Sequence, residues 1–286
     1  MITIKLKNTF HAPSRWDDFT PENAEIFTAL CCALDDYERG VFTFDQLQVA
    51  IVLALIGINE QKKGKPTEEF FENIFRFSEL LTFPYRLTDN EDGSKTASIT
   101  VSLYRNILPQ IGAEKHQGYR LDVSSAGVTD CNLTAEQYVD AVALADLYTK
   151  TRKQSALDQL TTVLYGSIKG VSPLEMTAVY YNFRGFLTWL KSLPQYALIF
   201  QSAGRQTAPT PLGLASSIFT LSKSGYGTLK EIKGLDVFTY LGVLVQMSID
   251  SIHQLASAGI KPGEIAEKLH LPLELVLQHT TETDPS

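Results

Sequence analysis

Four predicted helices of this chain open on a hydroxyl residue followed three positions later by glutamine or glutamate, just ahead of an apolar run. The pairs are Thr43 with Gln46, Thr134 with Gln137, Ser172 with Glu175 and Thr228 with Glu231. In such a capping box the hydroxyl accepts from a free backbone N–H of the first turn, while the amide or carboxylate reaches back to the backbone N–H of the hydroxyl residue. Each pair therefore marks a helix start. Thr20-Pro21-Glu22 adds another, a threonine cap with proline at the first helical position, for a helix to about Leu34. A chain punctuated in this way is expected to be mainly α, a multi-helix globular protein.

The helix opened by Thr43 should run over 44–56. It is apolar nearly all round after Gln48 and ends at Gly57, which predicts a core helix with Leu53 inside. Thr67, after the polar connection 59–66, can cap a helix whose Phe70, Phe71, Ile74, Phe75 and Phe77 form an apolar stripe suited to core packing. Beyond Thr134 the pattern predicts helices over 135–152, 154–165 and 173–192, the last stopped by Pro194, with a shorter one to Phe200. Further helices are expected over 212–223, in a short turn from Thr228, and over 236–258, 261–269 and 272–279. Residues 201–211 read as a linker, and the polar tail from Thr280 as disordered.

One segment breaks the helical pattern. Residues 84–88 and 96–103 are β-prone and flank Asp92-Gly93, a hairpin turn signal, so a small β-hairpin is expected in the N-terminal half, with 2–6 as a third strand. Residues 111–130 are polar and glycine-rich and read as a loop. The resulting division is 1–120, a helical part with the hairpin, 131–258, a central helical domain, and 259–286, a C-terminal helical pair with its tail.

The chemistry of the chain is sparse. Its 286 residues are 44% hydrophobic and 20% charged, an ordinary globular composition. The longest apolar run, 49–56, is far short of the roughly 18–20 residues that cross a bilayer. With no apolar core to the first ten residues, a signal peptide is not expected, and a cytoplasmic location is. The net charge of −7 argues against broad binding to nucleic acid or anionic membranes. Cys31, Cys32 and Cys131 have no metal or disulfide spacing and read as reduced, structural thiols. Gly64-Lys65 fails as a phosphate loop because Asn59 stands where the first glycine belongs and Pro66 where the metal-binding hydroxyl belongs. Residues 89–92 fail as a calcium loop because Gly93 is one place early and Thr100 stands where a bidentate Glu is required. Five scattered histidines show no ligand spacing. No metal, no cofactor and no catalytic residue is expected. Tyr180, Tyr181, Arg184 and Trp189 share one predicted helix and could stack bases or bind a partner, but without a basic stripe to support nucleic acid they read as core packing, with Arg184 reaching solvent or a carboxylate.

The C-terminal segment is the sharpest local signal. In residues 260–279 two short helices flank His270-Leu271-Pro272, as in the helix-turn-helix of many transcriptional regulators. Cations are scarce, however. From 258 onward only Lys261 and Lys268 oppose Glu264, Glu267, Glu274, Glu282 and Asp284, and a DNA reader needs cations for most of its affinity. The preferred reading is packing on the body or docking of a protein partner, with Ile265, Leu269, Leu273, Val276 and Leu277 as the contacts. A DNA-binding regulator is the alternative.

Several blocks resemble an uncharacterised family of phages and prophages of Bacteroidetes-type bacteria. They are Trp16 to Glu22 with the apolar segment 51–57, Asn132-Leu133-Thr134 to Tyr148, Leu160 to Tyr165, Tyr180-Tyr181-Asn182-Phe183-Arg184 to Phe200, and Gly225-Tyr226-Gly227-Thr228 with Leu241 and Leu244. The last is also similar to short helical proteins encoded beside tail tape-measure genes. The resemblance implies a non-enzymatic virion-morphogenesis protein, such as a tail-assembly chaperone, in the bacterial host cell or associated with the virion. Its partner would be a phage tail component, and no catalytic residue transfers.

Overall fold

The computed structural model describes residues 1–5, 9–57, 68–89, 95–124, 127–201 and 211–280. Among them are twelve α-helices and four two-stranded antiparallel sheets, so the fold is mainly α and multi-helix as expected. The Asp92-Gly93 turn, the connection 59–66 with Thr67, the linker 202–210 and the tail beyond 280 lie outside the described residues, as do the side chains of Phe70 and Phe71.

The chain divides into two compact units, Met1–Tyr119 with Tyr148–Thr188, and Arg120–Leu147 with Trp189–Ser286. This interleaving differs from the sequential division 1–120, 131–258 and 259–286. The helices that follow the expected boundary at 111–130 do not stay together. Those around 154–188 pack with the N-terminal elements instead.

In the first unit, α1 (Ala24–Glu38) follows a 3-10 turn at Pro21–Asn23, where Thr20 N–H donates to the Asn23 side chain at 2.8 Å. Helix α2 (Phe44–Leu55) packs on α1 and is followed by α3 (Glu68–Ser78). Leu47, Ile51, Val52 and Leu55 of α2 are buried, but Leu53 is only half-buried, because a single helix cannot turn every face of an apolar run inward. On α3, Ile74 is buried while Phe75 is exposed, so the aromatic stripe is not wholly core. Helices α5 (Gln154–Tyr165) and α6 (Pro173–Ser192, of which residues to Thr188 belong here) complete the unit.

The expected hairpin is present as β3 (Tyr85–Asp89) against β4 (Lys95–Ile99), with Tyr85 opposite Ile99. The N-terminal strand does not join it. Strand β1 (Ile2–Lys5) pairs with β2 (Thr9–Ala12) in a ladder of its own. The expected loop 111–130 contains two further hairpins, β5 (Gln110–Ile111) with β6 (His116–Gln117) and β7 (Leu121–Ser124) with β8 (Gly127–Cys131), the last pair in the second unit. Two close contacts fix α6. Buried Asn182 accepts from Ile107 N–H at 2.7 Å and donates to Arg105 C=O at 3.1 Å. At Gly185 the backbone carbonyl accepts from Leu103 N–H at 3.1 Å, and a Cβ there would stand 2.9 Å from Val101 Cγ1.

The second unit is built on α4 (Ala135–Thr151, residues to Leu147), α7 (Ala197–Phe200), α8 (Pro211–Lys223), α9 (Leu229–Gly234) and α10 (Val237–Ser257). A short bridge joins the starts of α4 and α10, where Ala135 N–H donates to Leu235 C=O at 2.7 Å and Val237 N–H to Leu133 C=O at 2.9 Å. Tyr138 and Tyr240 pack edge to face at 6.5 Å beneath it. All four capping boxes form, with hydroxyl oxygens 3.2–3.3 Å from the third-position N–H groups.

Candidate functional site

Three places were open to a functional role: the C-terminal helical pair, the Tyr/Arg cluster of α6, and a groove in the second unit.

The helical pair is α11 (Pro262–Leu269) and α12 (Leu273–Thr280), and it packs against α10. Each turn before it is locked by backbone hydrogen bonds. Helix α10 ends in a left-handed Gly259, φ +78°, with Gly259 N–H bonding to Ala256 C=O at 2.9 Å and Ile260 N–H to Leu255 C=O at 3.2 Å. Helix α11 ends the same way at His270, φ +54°, with Leu271 N–H on Ala266 C=O at 3.0 Å, although His270 is not the glycine such a position favours. A His253 ring nitrogen lies 2.9 Å from His279 C=O, tying the end of α12 back to α10.

This geometry splits the five expected partner contacts. Ile265 and Val276 are fully buried in a cluster with Leu198, Ile252, Ala266 and Leu271, and Leu269 packs against that cluster. Ile265 and Val276 are occupied by the protein's own core and present nothing to a partner, and Leu269 is partly covered by it. Leu273 and Leu277 remain, 44% and 42% exposed, four residues apart on the outer face of α12. The other exposed side chains of that helix are Glu274 and Gln278, so the face where a DNA reader would carry cations is apolar and acidic.

In the first unit the Tyr/Arg cluster is a half-buried ionic clamp. Arg184 donates to both Glu38 oxygens, at 2.7 and 2.9 Å, and to Ile99 C=O at 3.2 Å. Arg152, in a left-handed conformation just past α4, donates to Glu38 at 2.8 Å and to Asp35 at 2.9 Å. The phenols of Tyr181 and Tyr148 donate to Glu38 at 2.8 Å and to Asp35 at 2.9–3.0 Å. Burial alone would raise the Glu38 carboxyl, but the charge and hydrogen bonds of Arg184, with those of Arg152 and Tyr181, bring it below its ordinary value. At Asp35 burial prevails over the pull of Tyr148 and Arg152 and its carboxyl is raised. Arg184 thus reaches a carboxylate, as expected for core packing. Trp189 is not part of the clamp; it belongs to the second unit, edge-on to Phe238 at 6.2 Å. Asp35, Glu38, Tyr148 and Arg152 carried no local signal in the sequence, since Glu38 and Arg184 are 146 residues apart.

The groove, about 480 Å³, is lined by Phe219 of α8, by Leu229, Lys230, Lys233 and Gly234 of α9, and by Thr134 and Glu136 at the start of α4. Phe219 and Leu229 are exposed, and Lys233 Nζ is held by Glu136 at 2.7 Å. Among the described residues there is no group of three His, Cys, Asp or Glu side chains that could hold a metal ion, and no helix long and apolar enough to cross a membrane. Burial raises the thiols of Cys32, to about 12, and Cys131, to about 11, which keeps both protonated and unreactive at neutral pH. No protein-family model, curated protein or solved structure matches this chain.

Proposed function

We propose that this protein is a non-enzymatic accessory of phage or prophage virion morphogenesis, acting like a tail-assembly chaperone through contact with a tail component in the host cytoplasm. The observation that carries the reading is the pair Leu273 and Leu277, exposed on a helix whose opposite side is anchored by Val276. Solvent-facing leucines on a braced helix are suited to a hydrophobic groove or helix on another protein, the mode in which i and i+4 anchors supply the contact. The acidic net charge disfavours nucleic acid as the competitor. The resemblance of residues 16–22, 132–148 and 180–200 to phage and prophage sequences supports the choice of a tail component.

Co-expression with the tape-measure and tail-tube proteins of the same phage or prophage tests it. One of them should co-purify with the wild-type chain, and Leu273→Asp with Leu277→Asp should reduce recovery at least about tenfold while leaving the fold intact, since both side chains are on the surface. Failure of both proteins to bind overturns the proposal. So does nanomolar, sequence-selective duplex binding that falls steeply with salt and is abolished by Lys268→Ala, which is the behaviour of a regulator.

A further inference from the structure

We propose that the groove between α8 and α9 receives α12 of a second copy of this chain, so that the protein self-associates head to tail. The two surfaces match in kind. The groove offers two exposed apolar side chains, Phe219 and Leu229, with Lys230 beside them. Helix α12 offers Leu273 and Leu277 with Glu274 between them. The leucines are separated by one helical turn, about 5–6 Å between Cβ atoms, and so act as a pair on one face.

Charge sets the occupant. Lys230 is exposed and has no ion-pair partner among the described residues, whereas Lys233 is already held by Glu136. Glu274 is likewise exposed and without an ion-pair partner among the described residues, and no lysine or arginine follows Lys268 in the sequence. An acidic helix with two leucines is therefore complementary to a groove with two apolar side chains and one unengaged lysine. The chain carries both halves on different elements. The contact is heterologous, with each copy using one surface on each neighbour, and it extends until a ring closes or an end is capped.

This inference rests on the reading of α12 as a docking face and names an additional partner for it. A tail component on the same face would compete with self-association and disassemble the chain of copies.

Sedimentation velocity of the full chain alone, from low micromolar to several hundred micromolar, tests it. The weight-average mass should rise with concentration. Leu277→Asp destroys the helix face and Phe219→Asp the groove, so each variant alone should stay monomeric. An equimolar mixture should recover a one-to-one dimer that grows no further, because each variant retains the half the other lacks. Lys230→Glu and Glu274→Lys should each weaken association at least about tenfold, and mixing these two should restore it. These exposed charge changes serve as the check should either aspartate variant unfold. A wild-type chain that stays monomeric throughout, or mixtures that recover no dimer, overturns the inference. Because no tail protein is present, that failure leaves the morphogenesis reading standing, and loss of the tail complex in co-expression would leave self-association standing.

Discussion

Replacing Glu38 with glutamine removes the one carboxylate that both guanidiniums of the clamp share. Four hydrogen bonds of 2.7–2.9 Å converge on it, three from arginine and one from Tyr181. Glutamine keeps one acceptor but turns an NH₂ toward donors, and leaves Arg184 without its carboxylate partner. Breaking a buried pair in this way costs about 3–5 kcal/mol. Here Glu38 is 15% exposed and its arginines are 28% and 20% exposed, so water recovers part of the loss, and we expect about 2–4 kcal/mol at neutral pH. The assay is urea unfolding in a Trp189→Phe background, where the remaining Trp16 reports on the first unit. The dependence on pH identifies the cause. Because the folded state depresses the Glu38 pKa, its stabilisation is fully present above the unfolded value of about 4.3 and is lost as pH falls through the lower folded value. The gap between wild type and variant should therefore narrow below about pH 4.3. Asp35, whose folded pKa is raised, acts with the opposite sign, its contribution fading as pH rises through the folded value, but it is present in both proteins. A cycle with Arg184→Met should give a coupling of at least about 1 kcal/mol. A difference under about 0.5 kcal/mol at neutral pH, the range of surface substitutions, would refute the clamp, as would a gap that persists unchanged in acid.

Four other outcomes follow from burial and backbone geometry. Leu47→Ala, at a fully buried site, should cost about 2–5 kcal/mol in denaturant melts, and Leu53→Ala, half-buried on the same helix, roughly half as much. Gly185→Ala should lower the melting temperature although alanine favours helix, because its methyl would press on Val101 and Leu103. Val276→Asp should unfold the C-terminal pair by forcing a carboxylate into its core, while Leu273→Asp changes stability by less than about 0.5 kcal/mol; equal effects would reverse the assignment of faces. His270→Gly should raise stability by about 0.5–1 kcal/mol, read by thermal melting, because glycine accepts φ +54° without the cost borne by a side chain.

What was legible in the sequence was local. A capping box involves residues three apart, so Thr43, Thr134, Ser172 and Thr228 mark their helices independently of tertiary contacts, and the boundaries of α4, α5 and α6 follow to within a residue. Burial was harder to read wherever a helix is apolar on more than one side. Leu53 stands between buried Val52 and buried Ala54 yet faces partly outward, and Val276 and Leu277 are chain neighbours with opposite environments. The short strands β5 to β8 mix single apolar residues such as Ile111, Leu121 and Val128 with polar neighbours, and their pairing depends on what flanks them, so composition alone reads them as loop. The clamp was illegible for a different reason. Its carboxylates lie on α1, and its arginines lie just past α4 and on α6, and no periodicity links such distant positions.

That distance also imposes an order of events during synthesis. Glu38 and Arg184 are separated by 146 residues, which a ribosome adding about 5–20 residues per second needs roughly 7–30 s to cover. For most of that interval Asp35 and Glu38 of α1 lack both Arg152 and Arg184, and at its end they still lack Arg184, while residues 120–147 have been made before the first unit can close. Neither unit can finish folding as a simple N-terminal first domain. The first must wait for α6, and the second for α10 to meet the start of α4. Contacts of such high sequence separation slow folding and prolong the exposure of apolar helices such as α2.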